Sequence, residues 1–157
     1  MPRIPPPAVA LAAALVQRSL SRGAPRPSAG RAAGAVGLAV ASGALAGAAA
    51  SRFQRTGTSL EPFHPDRASV LVTEVANAVT RNPMYVGLAG MLLAHAVWRG
   101  SWTSLLPLAG YVGFIDRAQI AAEESALDAR FGPDYDAYRA TTPRWVDRRS
   151  LGRLTRT

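Results

Sequence analysis

Long uncharged stretches alternate with short basic segments along the chain. Residues 32–51 carry no charge, lie between Arg31 and Arg52, and match the ~20 residues that a helix needs to cross a bilayer. Two further apolar runs, residues 82–98 and 100–115, are separated only at Arg99. Backbone groups inside a bilayer must be satisfied within the segment, so such runs favour helices. The pattern predicts an all-α, polytopic membrane helical bundle with about three to five membrane helices and a cytosolic amphipathic C-terminal segment.

The first apolar run, residues 4–17, is shorter than a spanning helix requires. Three interpretations stay open: the core of a signal peptide, a re-entrant segment, or a shortened first span. A loop rich in Arg, Pro, Gly and Ser follows it. We therefore divide the chain into an N-terminal apolar segment with a basic loop, residues 1–31, and a membrane domain, residues 32–157. The C-terminal region of that domain, residues 116–157, is expected in the cytosol.

Small and aromatic residues predict how the helices pack and where they end. Gly43 and Gly47 form a small-xxx-small pair in the helix predicted over residues 32–51, which suits close contact with another helix. Trp98 and Trp102 flank the turn between the two later runs, where amphipathic indoles lie at headgroup level. His95 lies inside that edge, and we expect it to be a hydrogen-bonded interior residue.

Composition narrows the possible chemistry. A chain of 157 residues indicates one domain, and the absence of Cys excludes disulfides, thiolate metal sites and a Cys nucleophile. We expect no metal site. All 18 basic residues are Arg, and the net charge is +8. The arginines are spread over loops between apolar runs and form no basic stripe with interleaved aromatics, so a membrane protein with basic loops explains the charge better than a nucleic-acid partner does.

One short stretch carries the most chemical information: Arg81-Asn82-Pro83-Met84-Tyr85-Val86-Gly87. Asn is a favoured N-cap and Pro is favoured at the first helical position, so a helix is predicted to begin at Pro83. The N–H groups and the positive dipole end of that helix can hold a carboxylate or phosphate, and Arg81 adds a bidentate donor beside it. The alternative is structural: Arg81 is then an anchor at the membrane interface, and Gly87 and Gly90 are packing sites.

A second informative stretch follows residue 115, where the composition changes to an amphipathic helix with two adjacent acids, Glu123 and Glu124. Glu124 falls on the apolar face of that helix, where a carboxylate is unfavourable unless a cation meets it. Glu123 lies about 100° round the helix and therefore points elsewhere. For Glu123, an ordinary surface contact with Gln119 or Arg130 is an equally open interpretation. Gly132-Pro133 is predicted to end the helix.

Four blocks in this order resemble the membrane methyltransferases related to isoprenylcysteine carboxyl methyltransferase and the phospholipid methyltransferases. The likeness covers roughly residues 53 to 145. The blocks are Arg81-Asn82-Pro83-Met84-Tyr85-Val86-Gly87, Glu123-Glu124, Phe131-Gly132-Pro133-Asp134-Tyr135-Asp136-Ala137-Tyr138 and Pro143-Arg144-Trp145. Two departures are visible: Asn82 replaces the His of eukaryotic members, and residues 75–78 replace a Gly-x-Tyr-Arg element that should lie near the methyl acceptor.

The resemblance implies an enzyme that binds S-adenosylmethionine on the cytosolic side of the membrane, here a bacterial cell membrane. The residues it assigns to the cofactor are Arg81, Asn82, Pro83, Tyr85, Gly87, Glu123 and Glu124. Arg81 and the helix start suit the methionyl carboxylate, and a Glu suits the α-amino group. Arg144 is the catalytic candidate, which would hold a substrate carboxylate or close the cofactor pocket, and Tyr135 and Tyr138 would line that pocket.

The methyl acceptor stays open between an isoprenylcysteine carboxylate, an isoprenoid and a lipid. Two alternative functions are also compatible with the sequence: a nicotinamide-dependent membrane reductase, and a non-catalytic membrane packing protein. The predicted membrane topology conflicts with one general rule. If the site faces the cytosol and residues 32–51 cross once, then Arg18, Arg22, Arg26 and Arg31 lie on the opposite side, against the positive-inside rule.

Overall fold

A computed structural model describes residues 4–55, 79–148 and 150. Across these ranges every regular element is helical, which confirms the predicted all-α class. Residues 75–78, where the chain departs from the family pattern, lie outside the described part. The helices are α1 (Pro6–Leu20), α2 (Ala29–Arg55), α3 (Pro83–Arg99), α4 (Leu105–Phe114), α5 (Ala121–Phe131) and α6 (Pro133–Thr141).

Two irregular helical turns flank α4. A 3₁₀ turn, Trp102–Ser104, leads into it, and a π-helical turn, Ile115–Ile120, joins it to α5. The residues at both junctions, Ile115 and Ala121, keep right-handed helical dihedrals, so the chain passes from α4 to α5 without a break. This long helical run leads from α4 to the acidic residues around Glu124.

The first four helices alternate in direction. Gln17 contacts Leu92 and Ser104, so the end of α1 lies beside the end of α3 and the start of α4. Helix α2 runs opposite to α3, because the position of Gly87 near the start of α3 faces Ala46 in the second half of α2. We call the end of the bundle near Pro83 the site end, and the end formed by residues 18–31 and 99–104 the far end.

Helix α2 contains the one described segment that is long and apolar enough to cross a membrane, Ala29–Ser51. Only 17% of its most apolar window is buried, so most of that surface faces outward. The predicted runs 82–98 and 100–115 coincide with α3 and with α4. Both helices are shorter than a full crossing, and the number of membrane helices stays a prediction.

The core lies where α1, α3, α4 and the π turn meet. Its buried members are Ala10, Tyr85, Leu92, Tyr111, Ile115 and Ile120. The N-terminal apolar run is therefore part of the bundle, because Ala10 of α1 packs into this cluster. Such packing fits a shortened span or a re-entrant segment.

The predicted helix boundaries near the site are confirmed. Helix α3 begins at Pro83 with Asn82 as its N-cap residue. Helix α5 ends at Phe131, because Gly132 takes a positive φ of 47° that is unfavourable for other residues. Pro133 then starts α6, where its missing N–H group is not needed.

The predicted close contact at Gly43 and Gly47 is not found among the described residues: a Cβ atom added to either glycine would meet nothing within 4 Å. The glycines that permit close packing, Gly87 and Gly90, are on the other helix. A Cβ atom on Gly87 of α3 would lie 2.7 Å from Ala46 Cβ and 2.8 Å from the Ser42 carbonyl oxygen. The close approach of α2 and α3 therefore depends on α3, as the structural interpretation of Gly87 predicted.

We predict that Gly87→Ala destabilises the protein, whereas Gly47→Ala does not. The added methyl group at residue 87 overlaps the backbone of α2, and such overpacking costs about 1 to 3 kcal/mol. At residue 47 the added methyl group is unopposed, and the better helix propensity of Ala adds about 0.5 to 1 kcal/mol of stability. Thermal unfolding in detergent, followed by circular dichroism, measures both. Equal melting temperatures for the two variants would contradict this packing.

Candidate active site

The carboxylate of Glu124 lies between two arginines. Arg81 Nη2 is 2.9 Å from Glu124 Oε1, and Arg144 donates from Nε to the same oxygen at 3.1 Å and from Nη2 to Oε2. The Glu124 side chain is 13% exposed and that of Arg81 is 9% exposed. The prediction that a carboxylate on this face needs a cation is confirmed, and two cations meet it.

Arg144 also binds a second acid that the sequence analysis did not select. Its Nη1 lies 3.1 Å from Asp116 Oδ1, and the indole N–H of Trp145 donates to the same oxygen at 2.8 Å. The hydrogen bond from Trp145, together with the hydrogen bond and charge of Arg144, lowers the pKa of Asp116. The hydrogen bond with Glu124 raises the pKa of Arg144, so the guanidinium stays charged.

The π turn explains how Asp116 and Glu124 reach the same arginine. Residues eight positions apart in a regular α-helix differ by about 80° around the axis. A π turn accommodates one extra residue, so eight positions behave as about seven, which is close to two full turns. Asp116 lies within the turn Ile115–Ile120, and the rest of that turn separates it from Glu124, so the extra residue aligns the two acids. The local sequence gives no signal for this turn, so it does not predict that Asp116 and Glu124 reach the same arginine.

The segment around Arg144 is also fixed to the start of α3 through its backbone. The N–H of Arg81 donates to the Pro143 carbonyl at 2.9 Å. The carbonyl of Arg144 accepts from the Thr80 hydroxyl at 2.9 Å and from the Asn82 amide at 3.0 Å. Thr80 is fully buried. These bonds join two segments more than 60 residues apart in sequence, so the Pro143-Arg144-Trp145 block is an integral part of the site.

The first turn of α3 is left without a side-chain cap. Asn82 uses its amide on Arg144 and makes no capping hydrogen bond to the helix. Pro83 has no N–H, and the N–H of Val86 is the first to bond within the helix, to Asn82 O. The N–H groups of Met84 and Tyr85 thus carry the positive end of the helix dipole without a capping group.

Arg81 has unused donors beside this helix start. Its Nη2 meets Glu124, but Nε and Nη1 are buried and have no hydrogen-bond partner among the described residues. Its guanidinium carbon lies 6.0 Å from the ring centre of Tyr135, which is itself buried. A buried donor without a partner costs about 1 to 3 kcal/mol, so these atoms are suited to a polar ligand. The alternative interpretation of Arg81 as an interface anchor does not fit, because an anchor keeps its charged group in water or headgroups.

Glu123 points away from Glu124, as the helical geometry predicted. Its Oε1 accepts from the Tyr85 hydroxyl at 2.7 Å and from Gln119 Nε2 at 2.7 Å. The contact between Glu123 and Gln119, which the sequence left open, is present. Glu123 also accepts a hydrogen bond from Tyr85 of α3. The hydroxyl of Tyr85 therefore ties the start of α3 to the acidic pair.

The two tyrosines of the third block lie beside the arginines. Their ring centres are 6.3 Å apart, and both side chains are buried. Tyr135 lies between Arg81 and Arg139, whose guanidinium carbons are each 6.0 Å from its ring centre. Burial raises the pKa of Tyr135, so its hydroxyl stays protonated. Tyr135 forms one wall of the site, whereas Gly87 faces α2 and its predicted cofactor contact remains a prediction.

Four residues near the site were not selected from the sequence: Thr80, Tyr111, Asp116 and Trp145. Trp145 belongs to the Pro143-Arg144-Trp145 block, and its place in that block could have identified it as a site residue. Asp116 is the first acid after a long apolar run, a position that could have marked it. The hydroxyl of Tyr111 is buried in the core and has no hydrogen-bond partner, a feature that only the three-dimensional structure shows.

Comparison with known proteins places the chain in a family. The family described as PEMT, phospholipid methyltransferase, matches residues 30–134, which is more than half of the chain. The protein belongs to the phospholipid methyltransferase family, as the sequence motifs indicated. This family, together with the apolar helix α2, indicates a membrane methyltransferase. The matched range includes Arg81 and Glu124 but ends before Tyr135 and Arg144.

One curated relative and the solved structures complete the comparison. The chain is 35% identical over 63 residues to a protein of Haemophilus influenzae described as an uncharacterized protein. That match covers 40% of this chain and all of the relative. No solved structure matches the chain significantly.

We predict that Asp116→Asn lowers the free energy of unfolding at neutral pH by about 1 kcal/mol, because a charge-assisted contact with Arg144 is lost at a partly exposed site. In the wild type the pKa of Asp116 is lower in the folded than in the unfolded state. Its stabilising effect is therefore complete above the ordinary carboxyl pKa of about 4 and is lost as the pH falls through the folded-state value.

Denaturant unfolding between neutral pH and about pH 3 tests this, with Asp128→Asn on the exposed side of α5 as the matched control. The loss of stability in acid should be smaller in Asp116→Asn than in the wild type and in the control. An identical acid dependence in all three proteins would contradict the assigned role of Asp116.

Proposed function

We propose that the protein is an S-adenosylmethionine-dependent methyltransferase that acts on a lipophilic acceptor at the membrane. The observation that carries the proposal is the buried guanidinium of Arg81, with two donor atoms unpartnered, beside the uncapped first turn of α3. Both features favour an anion at the same place. Family membership supplies the reaction class.

The methionyl carboxylate of S-adenosylmethionine fits this position. Arg81 Nε and Nη1 are charged donors on different edges of one planar guanidinium, so either can donate a charge-assisted hydrogen bond to a carboxylate oxygen. The N–H groups at the start of α3 add dipolar attraction for the same negative charge. Glu124 fixes the orientation of the guanidinium through Nη2. The two remaining donors therefore have fixed positions from which they can bind a ligand.

The charge balance of the site also fits a zwitterionic group. Arg81 and Arg144 are matched by Glu124 and Asp116, so these four residues contribute no net charge. Glu123 adds a carboxylate held by neutral donors from Tyr85 and Gln119. The methionyl carboxylate and ammonium of S-adenosylmethionine leave this balance intact, with the carboxylate at Arg81 and the ammonium at an acidic residue, and the positive sulfonium offsets the carboxylate of Glu123.

When bound, S-adenosylmethionine supplies a methyl group that passes from its sulfonium to a nucleophilic atom of the acceptor. The chain needs no covalent nucleophile for this, and its residues act by orienting the reactants and excluding water. Tyr135 provides a buried wall behind Arg81. Arg144 is half-buried and bridges Glu124 to Asp116, which suits a group that holds the C-terminal segment over the site.

A lipophilic acceptor suits the position of the site at one end of an apolar bundle. The outward surfaces of α1 and α2 expose large apolar side chains, including Leu11, Leu15, Val36 and Val40. An acceptor embedded in the bilayer can present its polar end beside the start of α3. An isoprenylcysteine carboxylate, an isoprenoid and a lipid all meet this description. We place the site on the cytosolic side, where a soluble donor can enter.

The test is binding of S-adenosylmethionine to the protein in detergent or nanodiscs, measured by isothermal titration calorimetry. Arg81→Gln and Glu124→Gln should each weaken binding by about tenfold to hundredfold, because each removes or misplaces a charge-assisted hydrogen bond. The matched controls are Arg130→Gln and Asp128→Asn, exposed residues of α5 with the same charge changes. Circular dichroism confirms that all variants are folded.

Two results would contradict the proposal. One is the absence of binding by well-folded wild-type protein in both detergent and nanodiscs. The other is wild-type affinity in Arg81→Gln, because the unpartnered donors of that residue carry the argument.

A further inference from the structure

The far end of the bundle carries five arginines and no acidic residue. These far-end arginines are Arg18, Arg22, Arg26, Arg31 and Arg99. No Asp or Glu occurs in residues 4–55 or in residues 82–115. The cluster lies at the opposite end of α3 from Pro83, so it is separate from the candidate active site. The catalytic proposal does not use it.

Two of the far-end arginines hold this end together. Arg99 donates to the Ser21 hydroxyl at 2.6 Å and to the Ser21 carbonyl at 2.7 Å. Arg31 donates to the Pro25 carbonyl at 3.0 Å and lies against Gly100. Both guanidinium groups thus bind neutral oxygen atoms, and their positive charge has no acidic partner there. They join the loop after α1 to the turn after α3.

A buried hydrogen-bond network supports the same end from inside. Gln17 is fully buried, and its Nε2 donates to the Leu92 carbonyl at 3.0 Å and to the Ser104 carbonyl at 2.8 Å. Its Oε1 lies 2.8 Å from His95 Nδ1. His95 is therefore a hydrogen-bonded residue of the bundle, as predicted. The network connects α1, α3 and the start of α4. The arginines therefore lie on a part of the bundle that hydrogen bonds hold in place.

The remaining three far-end arginines, Arg18, Arg22 and Arg26, are exposed, and none forms an ion pair with a residue of the described part of the chain. Two tryptophans next to the turn after α3 are also exposed. Trp102 is 87% exposed and Trp98 is 40% exposed. Apolar side chains at the same level, Leu20 and Leu106, are also exposed. Cations, indoles and exposed leucines together are typical of a surface at the headgroup level of a bilayer.

We propose that the far end is a binding surface for anionic phospholipid headgroups in the leaflet opposite the active site. The surface carries charge of one sign, because three exposed arginines and two partly buried ones lie at this end and no Asp or Glu occurs in the segments that form it. The exposed indoles and leucines place these cations next to hydrocarbon, which favours a lipid phosphodiester over a nucleic acid. Headgroup binding also accounts for the conflict with the positive-inside rule, because the arginines are neutralised where they lie. The inference is independent of the methyl-transfer reaction.

The experiment uses the full protein reconstituted into phosphatidylcholine vesicles. Brominated phosphatidylglycerol or brominated phosphatidylcholine quenches the fluorescence of nearby tryptophans, and the ratio of the two quenching efficiencies gives the preference for anionic lipid. The far-end variant combines Arg18→Gln, Arg22→Gln and Arg26→Gln. The control combines Arg117→Gln, Arg130→Gln and Arg148→Gln, exposed residues at the site end with the same total charge change. Trp145, at the site end, is present in all proteins.

We expect wild type and control to prefer anionic lipid by about fivefold to tenfold, and the far-end variant to show a ratio near one. The wild-type preference should also decrease with salt. An unchanged preference in the far-end variant would overturn the proposal, as would an equal loss in the control, which would show an effect of total charge. Complete competition by inorganic phosphate would also overturn it, because the surface would then bind small anions and not lipid headgroups.

Discussion

The structure of the site depends on one carboxylate that the fold brings to an apolar helix face. Glu124 is mostly buried and needs compensating charge, and two arginines from distant parts of the chain supply it. Arg81 precedes α3, whereas Arg144 follows α6. Removal of either partner would leave charge uncompensated in a largely desolvated place. The ion pairs, with the backbone bonds of Pro143 and Arg144, therefore fix the C-terminal segment against the start of α3.

The same constraint explains why Arg81 is suited to bind a ligand. Glu124 uses one nitrogen of the guanidinium, and the ring of Tyr135 lies close to the group. The other two nitrogens are buried, and no residue in the described part of the chain accepts from them. A side chain held through one nitrogen and unsatisfied at the other two is preorganised, so a bound carboxylate gains a hydrogen bond without the entropy of ordering the arginine. Family membership gives the reaction class, and this geometry is compatible with the cofactor position that we propose.

The local sequence was sufficient to predict the helices and several of the residues near the site. The Asn82-Pro83 pair and the Gly132-Pro133 pair determined helix ends, and the position of Glu124 on an apolar face required a cation. Features that depend on long-range packing were not predictable. The π turn that aligns Asp116 with Glu124 has no local signature, and the small-xxx-small pair Gly43 and Gly47 predicted a close contact that is not found among the described residues. Both features depend on contacts with another part of the chain.

The most direct measurement of the central claim is hydrogen–deuterium exchange of the wild-type protein in nanodiscs, with and without saturating S-adenosylhomocysteine, which carries the same methionyl carboxylate. If Arg81 and the start of α3 hold that carboxylate, amide exchange should slow in peptides that cover residues 81–86 and 119–124. Peptides at the far end, residues 93–104, should be unaffected. Saturated binding with no protection at the start of α3 would contradict the claim and place the ligand elsewhere.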